Sequence, residues 1–128
     1  MSGMSEAESM LQKAARSFDV AEEVLESGHP DFAVARAYYG CFYIAQVLLQ
    51  GRGLVFTRHG QVIAQYGLHF AKTGLLDPRF HTLLISTFAL RQSADYGADE
   101  VIEAGEVLEV IRQGREFLAA AAELINQS

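Results

Sequence analysis

The chain has a single cysteine, Cys41, so no disulfide can form within it. Its longest uncharged run, Ala37 to Gly51, is 15 residues, short of the roughly 20 that a membrane-spanning helix needs. The opening residues, Met1 to Ser9, are polar and acidic, unlike a secretory leader. These absences lead to the expectation of a cytoplasmic protein with no membrane segment. Cys41, set among apolar residues, reads as a small buried hydrophobe. No glycine-rich loop follows a strand pattern, so neither a P-loop nor a dinucleotide fold is indicated. The histidines are not spaced as helical ligand pairs and no Cys–His cluster exists, so no metal site and no cofactor are expected. The most apolar helical segment carries no acid beyond Asp31 at its start, which argues against a paired-carboxylate di-iron bundle. With 128 residues, the chain is expected to form one domain over residues 1–128.

Acids are also nearly missing from the middle of the chain. Residues 36–94 hold six bases and one acid, Asp77, a net +5. Residues 1–35 carry net −5 and residues 95–128 net −6, for a total of −6. The overall sign argues against a general nucleic-acid coat protein. The basic middle, which also holds His59, His69 and His81, is where an anion or a phosphate backbone would be drawn.

Period-two alternation is absent, and 3.6-residue periodicity is strong. Leu11, Ala14, Phe18, Ala21 and Leu25 form one helical stripe, ended by Ser27-Gly28. Pro30 suits the first position of a second helix running to about Gln50. That helix is apolar nearly all round, so it is expected to lie at the centre, and Gly51-Arg52-Gly53 ends it. A shorter helix is expected over about His59 to Lys72. Asp77-Pro78 opens a fourth, with Phe80, Leu83, Leu84, Thr87, Phe88 and Leu90 on its buried side and a polar end over Arg91 to Tyr96. Asp99 is expected to cap the last helix, whose stripe reads Val101, Ala104, Leu108, Ile111, Arg115, Leu118, Ala122 and Ile125. The fold class expected is all-α, an antiparallel bundle of four long helices plus one short helix.

Three places offer chemistry. Arg36 is the one charge on the central helix past Asp31. A guanidinium stays protonated, so it must reach solvent, an acid or a ligand, and Asp95 is the favoured partner. Arg91 and Asp95 stand four apart on one helix face, with Tyr96 one step further. A planar guanidinium, an acceptor and a phenol together suit the clamping of a phosphate, or a helix-end ion pair. His59, beside Arg58 at the start of the third helix, offers an acid, a base or a donor to phosphate near neutral pH.

Taken in order, these segments resemble a known family. Ala35-Arg36-Ala37-Tyr38-Tyr39-Gly40-Cys41-Phe42 is followed by Arg58-His59-Gly60, His69-Phe70-Ala71-Lys72-Thr73-Gly74 and Leu90-Arg91-Gln92-Ser93-Ala94-Asp95-Tyr96. This set is similar to the small stand-alone prokaryotic HEPN proteins, named for higher eukaryotes and prokaryotes nucleotide-binding, over about residues 8–125. The resemblance implies a homodimer partnered by a minimal nucleotidyltransferase, in a two-component, toxin–antitoxin-like system that binds nucleotide or RNA. It also implies an alternative, a metal-independent endoribonuclease, in which an arginine is followed four to six residues later by histidine. The arginine corresponds to Arg91, but Tyr96 stands where that histidine is wanted. A phenol, with a pKa near 10, is a poor base at neutral pH. On this reading Arg91, Tyr96 and His59 are the residues for proton movement and charge stabilisation, and Arg36, Asp95 and Arg58 those for ligand contact. A third reading makes the Arg91–Tyr96 run a packing network in a non-catalytic interaction module.

Overall fold

The computed structural model describes residues 5–97 and 101–127. Helix α1 spans Glu6–Glu26, α2 Pro30–Gln50, α3 His59–Tyr66, α4 Arg79–Tyr96 and α5 Ala104–Asn126, and α3 runs into a π-helical turn over Gly67–Ala71. No strand occurs among the described residues. The all-α bundle is therefore as the periodicity requires.

The punctuation acts where the sequence puts it. Ser5 Oγ accepts from Glu8 N at the start of α1, and Gly28 turns the chain into α2 at a φ of 90°, a conformation that costs a side-chain-bearing residue energy. Pro30 is the first residue of α2. Asp77 Oδ1 accepts from Arg79 N at 3.0 Å and so caps α4.

Helix α2 packs against α1, α3, α4 and α5. Ala33, Val34, Ala37, Tyr38, Cys41, Ile44 and Ala45 are all fully buried. By length and composition α2 is apolar enough to cross a membrane, but 67% of its apolar window is buried inside the bundle. Its hydrophobicity is spent on the core. Cys41 is buried with the rest, and that burial pushes its thiol pKa up to about 12, which leaves it unreactive.

Phe18 locks the three largest helices. Its ring points from α1 to where α2 and α5 each present a glycine, Gly40 and Gly114. At the surface between α1 and α5, Arg115 binds Asp19 at 3.0 Å and Glu22 at 3.1 Å.

Helix α5 departs from the expectation in two ways. The expected cap, Asp99, lies outside the described residues; the helix itself begins later, with a capping box between Glu103 and Glu106. Its buried side is Val107, Val110, Ile111, Gly114, Phe117 and Ala121, whereas Val101 and Leu108, both assigned to the buried stripe, are exposed. Two apolar stripes overlap on this helix. The one that buries the Phe117 ring and lets Gly114 receive Phe18 removes more apolar surface from water, so it prevails.

Candidate functional site

The residues around the end of α4 come from three helices. The α2 ridge carries Arg36, Tyr39 and Tyr43 at helical spacing, with Tyr38 and Phe42 beside it. The start of α3 brings His59 onto this ridge, and the last turn of α4 brings Arg91.

His59 lies flat against Phe42, with ring centroids 4.2 Å apart, and is further enclosed by Tyr38, Tyr39 and Phe88. The Tyr38 hydroxyl and His59 Nδ1 are 2.8 Å apart. Burial pushes the Tyr38 pKa up, so its phenol keeps its proton despite the opposing pull of Arg91. Burial first, and then the charge of Arg91, hold His59 below the usual imidazole range. The Tyr38 hydroxyl is buried with no other acceptor among the described residues, so its proton is satisfied where Tyr38 donates and Nδ1 accepts. The ring proton then sits on Nε2, which has no hydrogen-bond partner among the described residues. In that tautomer His59 presents an N–H donor at Nε2.

The Arg91 guanidinium carbon lies 5.0 Å from the Tyr39 ring centroid and 5.6 Å from that of Tyr38. Its Nε is 3.3 Å from Asp95 Oδ2 but makes no directed hydrogen bond, so the contact is an ion pair of surface strength. Arg36 lies 5.0 Å from the same Tyr39 ring. The two guanidiniums therefore share one phenol, and cation–π contact holds each in place without cancelling its charge.

The structure brings together Arg91, Asp95, His59 and Arg36. The expected pairing of Arg36 with Asp95 does not form, because Asp95 lies one helical turn from Arg91 and is taken by it. Tyr96 is 86% exposed. Arg58 is exposed and meets α3 through its carbonyl, which accepts from Val62 N at 3.0 Å. Tyr38 lies in a helix apolar nearly all round, a pattern that predicts its burial and says nothing of its hydroxyl. Only the approach of α3, 21 residues on, supplies that hydroxyl's partner. Lys13 and Arg16 lie in the acidic first third, where the charge pattern points away from an anion site. They stand three apart on α1 and line a shallow concavity with Ser17, Val20, Arg36 and Tyr43. A spacing of three, with α2 packed antiparallel alongside, was the available signal.

The lowered pKa of His59 has a consequence for stability. The folded protein resists protonation at this ring while the unfolded chain accepts a proton near pH 6.5. The contribution is fully present above that pH and is lost as pH falls through the lower folded value. Denaturant titrations between pH 7.5 and pH 5, buffers chosen to bracket the ordinary imidazole pKa of about 6.5, should show a smaller acid-side loss for His59→Asn than for the natural chain. Identical pH slopes in the two proteins would contradict this environment for His59.

Comparison with known proteins finds a family model and several relatives similar to the chain. The family model described as the HEPN domain matches residues 7–125. The chain is 32% identical over 113 residues to "Putative toxin MJ0142" of Methanocaldococcus jannaschii, covering 88% of this chain and 77% of that one. It is 32% identical over 126 residues to "UPF0332 protein" of Thermotoga maritima, covering 95% and 96% of the two chains. A second M. jannaschii protein, "Putative toxin MJ0605", is 31% identical over 98 residues, 77% of this chain and 73% of its own.

Proposed function

The chain belongs to the HEPN family, and from that premise we propose that it is a nucleotide- or RNA-binding protein that seats phosphate between Arg91 and His59. One observation carries the reading. A guanidinium and an imidazole stand against the same tyrosines, and aromatic contact holds them there, with only the half-exposed Asp95 carboxylate paired to the guanidinium. Two oriented donors, one of them charged, match the oxygens of a phosphate.

The cellular role that fits is the HEPN half of a two-component, toxin–antitoxin-like system in the cytoplasm, with a minimal nucleotidyltransferase as partner. The names of the M. jannaschii relatives support the toxin side of it. A homodimer is part of the proposal. Residues 81–90 of α4 carry no Asp, Glu, Lys or Arg, and Ile85 on its outward side is 50% exposed. A helix face of that kind suits burial against a second copy.

The endoribonuclease reading has one observation in its favour, the imidazole beside Arg91. The hydrogen bond from Tyr38 counts against it, because it leaves the proton on Nε2 and so denies that nitrogen the role of base. Tyr96, 86% exposed, is not among the rings that enclose His59.

The test is a titration of the purified protein with nucleoside phosphates and single-stranded RNA, with sedimentation of the same sample. Saturable binding by a dimer, and RNA left intact with or without EDTA, are the expected results. Absence of binding to either ligand would overturn the proposal. Cleavage lost on His59→Ala would replace it with the nuclease.

A further inference from the structure

The bases of this chain divide sharply by what they touch. Arg79, Arg91, Arg112 and Arg115 all hold carboxylates. The other six, Lys13, Arg16, Arg36, Arg52, Arg58 and Lys72, hold none among the described residues, although the chain carries 16 acids, and of these six Lys13, Arg16 and Arg36 stand together. These three line one concavity between α1 and α2. An acidic protein that leaves three neighbouring cations unpaired has kept a local positive potential against its own net charge.

The cluster is also continuous with the Arg91–His59 site. Lys13 Nζ lies 4.6 Å from the Tyr43 ring centroid. Tyr43 neighbours Tyr39, with centroids 5.9 Å apart, and Tyr39 carries Arg36 on the way to Arg91. Lys13, Tyr43 and Tyr39 lead in turn to Arg36 and Arg91, which share the Tyr39 ring, so the cations are connected through half-buried phenols. Ser17 Oγ donates to Arg36 O at 2.6 Å, tying α1 to α2 within this group.

We propose that Lys13, Arg16 and Arg36 extend the phosphate seat at Arg91 and His59 into a track for the backbone of a single-stranded polynucleotide. The inference rests on the functional reading above and specifies its ligand, a strand with successive phosphates. Cations joined over several side chains suit more than one phosphate of the same strand. Guanidinium forks match phosphate oxygens in pairs, and aromatic edges between the cations suit a strand with unstacked bases. The fold assembles the group from α1 and α2, so it is not confined to the basic middle of the sequence.

The experiment is fluorescence anisotropy with two probes, a labelled adenosine monophosphate and a single-stranded oligoribonucleotide of about 12 nucleotides, a length within the known site-size range. The proteins are the natural chain, Arg91→Ala, and the double variant Lys13→Ala/Arg16→Ala, each checked for its fold by circular dichroism. The natural chain should prefer the oligomer. The double variant should lose roughly tenfold on the oligomer and stay within about twofold on the mononucleotide. Its dependence of log affinity on log salt should be shallower by about 1.4, the share of two phosphate contacts to a single strand. Should the double variant bind the oligomer like the natural chain, or the natural chain bind both probes equally, the track is overturned while the phosphate seat stands. Failure of the natural chain to bind either probe removes the seat and the track together. Displacement of the oligomer by poly-glutamate at equal charge concentration would overturn the track in favour of an acidic protein segment as occupant.

Discussion

Phe18→Ala is expected to cost about 3–5 kcal/mol of folding stability, the range for a fully enclosed phenyl ring, and to lower the melting temperature by roughly 10–20 °C. Phe18 has no exposed surface, and its ring tip occupies the space that side chains at two other helices would fill. A Cβ added at Gly40 would come within 2.6 Å of the ring, and one at Gly114 within 2.4 Å. These are contacts with an enclosed ring, which cannot swing aside as a surface chain does. Gly114→Ala alone sets two effects against each other. Alanine favours a helix by up to about 1 kcal/mol, while forcing a methyl into a packed core costs about 1–3 kcal/mol. The clash at 2.4 Å puts the balance on the destabilising side. The cycle between the two sites is the sharper test. With the ring gone, Gly114→Ala should become neutral or stabilising, because only the propensity gain remains. Denaturant unfolding of the natural chain, both single variants and the double variant measures it. Equal costs for Gly114→Ala in the two backgrounds would show that Phe18 is not what fills that space.

This junction also shows how far the sequence could be read. Phe18 lies on a stripe that periodicity finds, since a helix that buries one face must repeat its apolar residues every three or four positions. The central position of α2 was legible for the same reason. What Gly40 and Gly114 receive was not legible, because a glycine inside a helix records only that something approaches closely. The register of α5 was ambiguous, with two stripes of similar composition, and it was decided by which one accommodates Phe18 and buries Phe117. At the site, Arg91 and Asp95 were legible because they are four apart on one helix. The link from Tyr38 to His59 and the joining of Lys13 and Arg16 to Arg36 depend on helix-to-helix contacts, which no local pattern encodes. Tyr96, adjacent in sequence to Asp95, shows the converse. Five positions beyond Arg91 carries a helical residue well round from it, and the side chain faces solvent.

Arg91→Ala and Asp95→Ala are expected to move ligand affinity in opposite directions. Arg91 is the one group in the seat that carries full charge at every accessible pH, and its side chain is only 25% exposed, so its field is less screened than that of a free surface arginine. A hydrogen bond to a charged group contributes about 1.5–3 kcal/mol. Removing Arg91 should therefore weaken binding of nucleotide and RNA by about 10- to 150-fold. Asp95 competes for the same guanidinium. Its carboxylate is 41% exposed and 3.3 Å from Nε, a pair of the kind that contributes between zero and about 1 kcal/mol. Deleting it releases the guanidinium, and binding should tighten by up to about fivefold. Folding stability should change by no more than the same small amount. Calorimetric titration of both variants with one mononucleotide, beside their denaturation midpoints, separates a ligand seat from a packing network. A network predicts that both substitutions destabilise the fold and that neither improves binding, since each strands the other's charge. A seat predicts a tighter Asp95→Ala, a crippled Arg91→Ala and two nearly unchanged midpoints. The signs are opposite because the carboxylate and the phosphate want the same donor, and the cation–π contacts with Tyr38 and Tyr39 keep that donor in place whichever anion it holds.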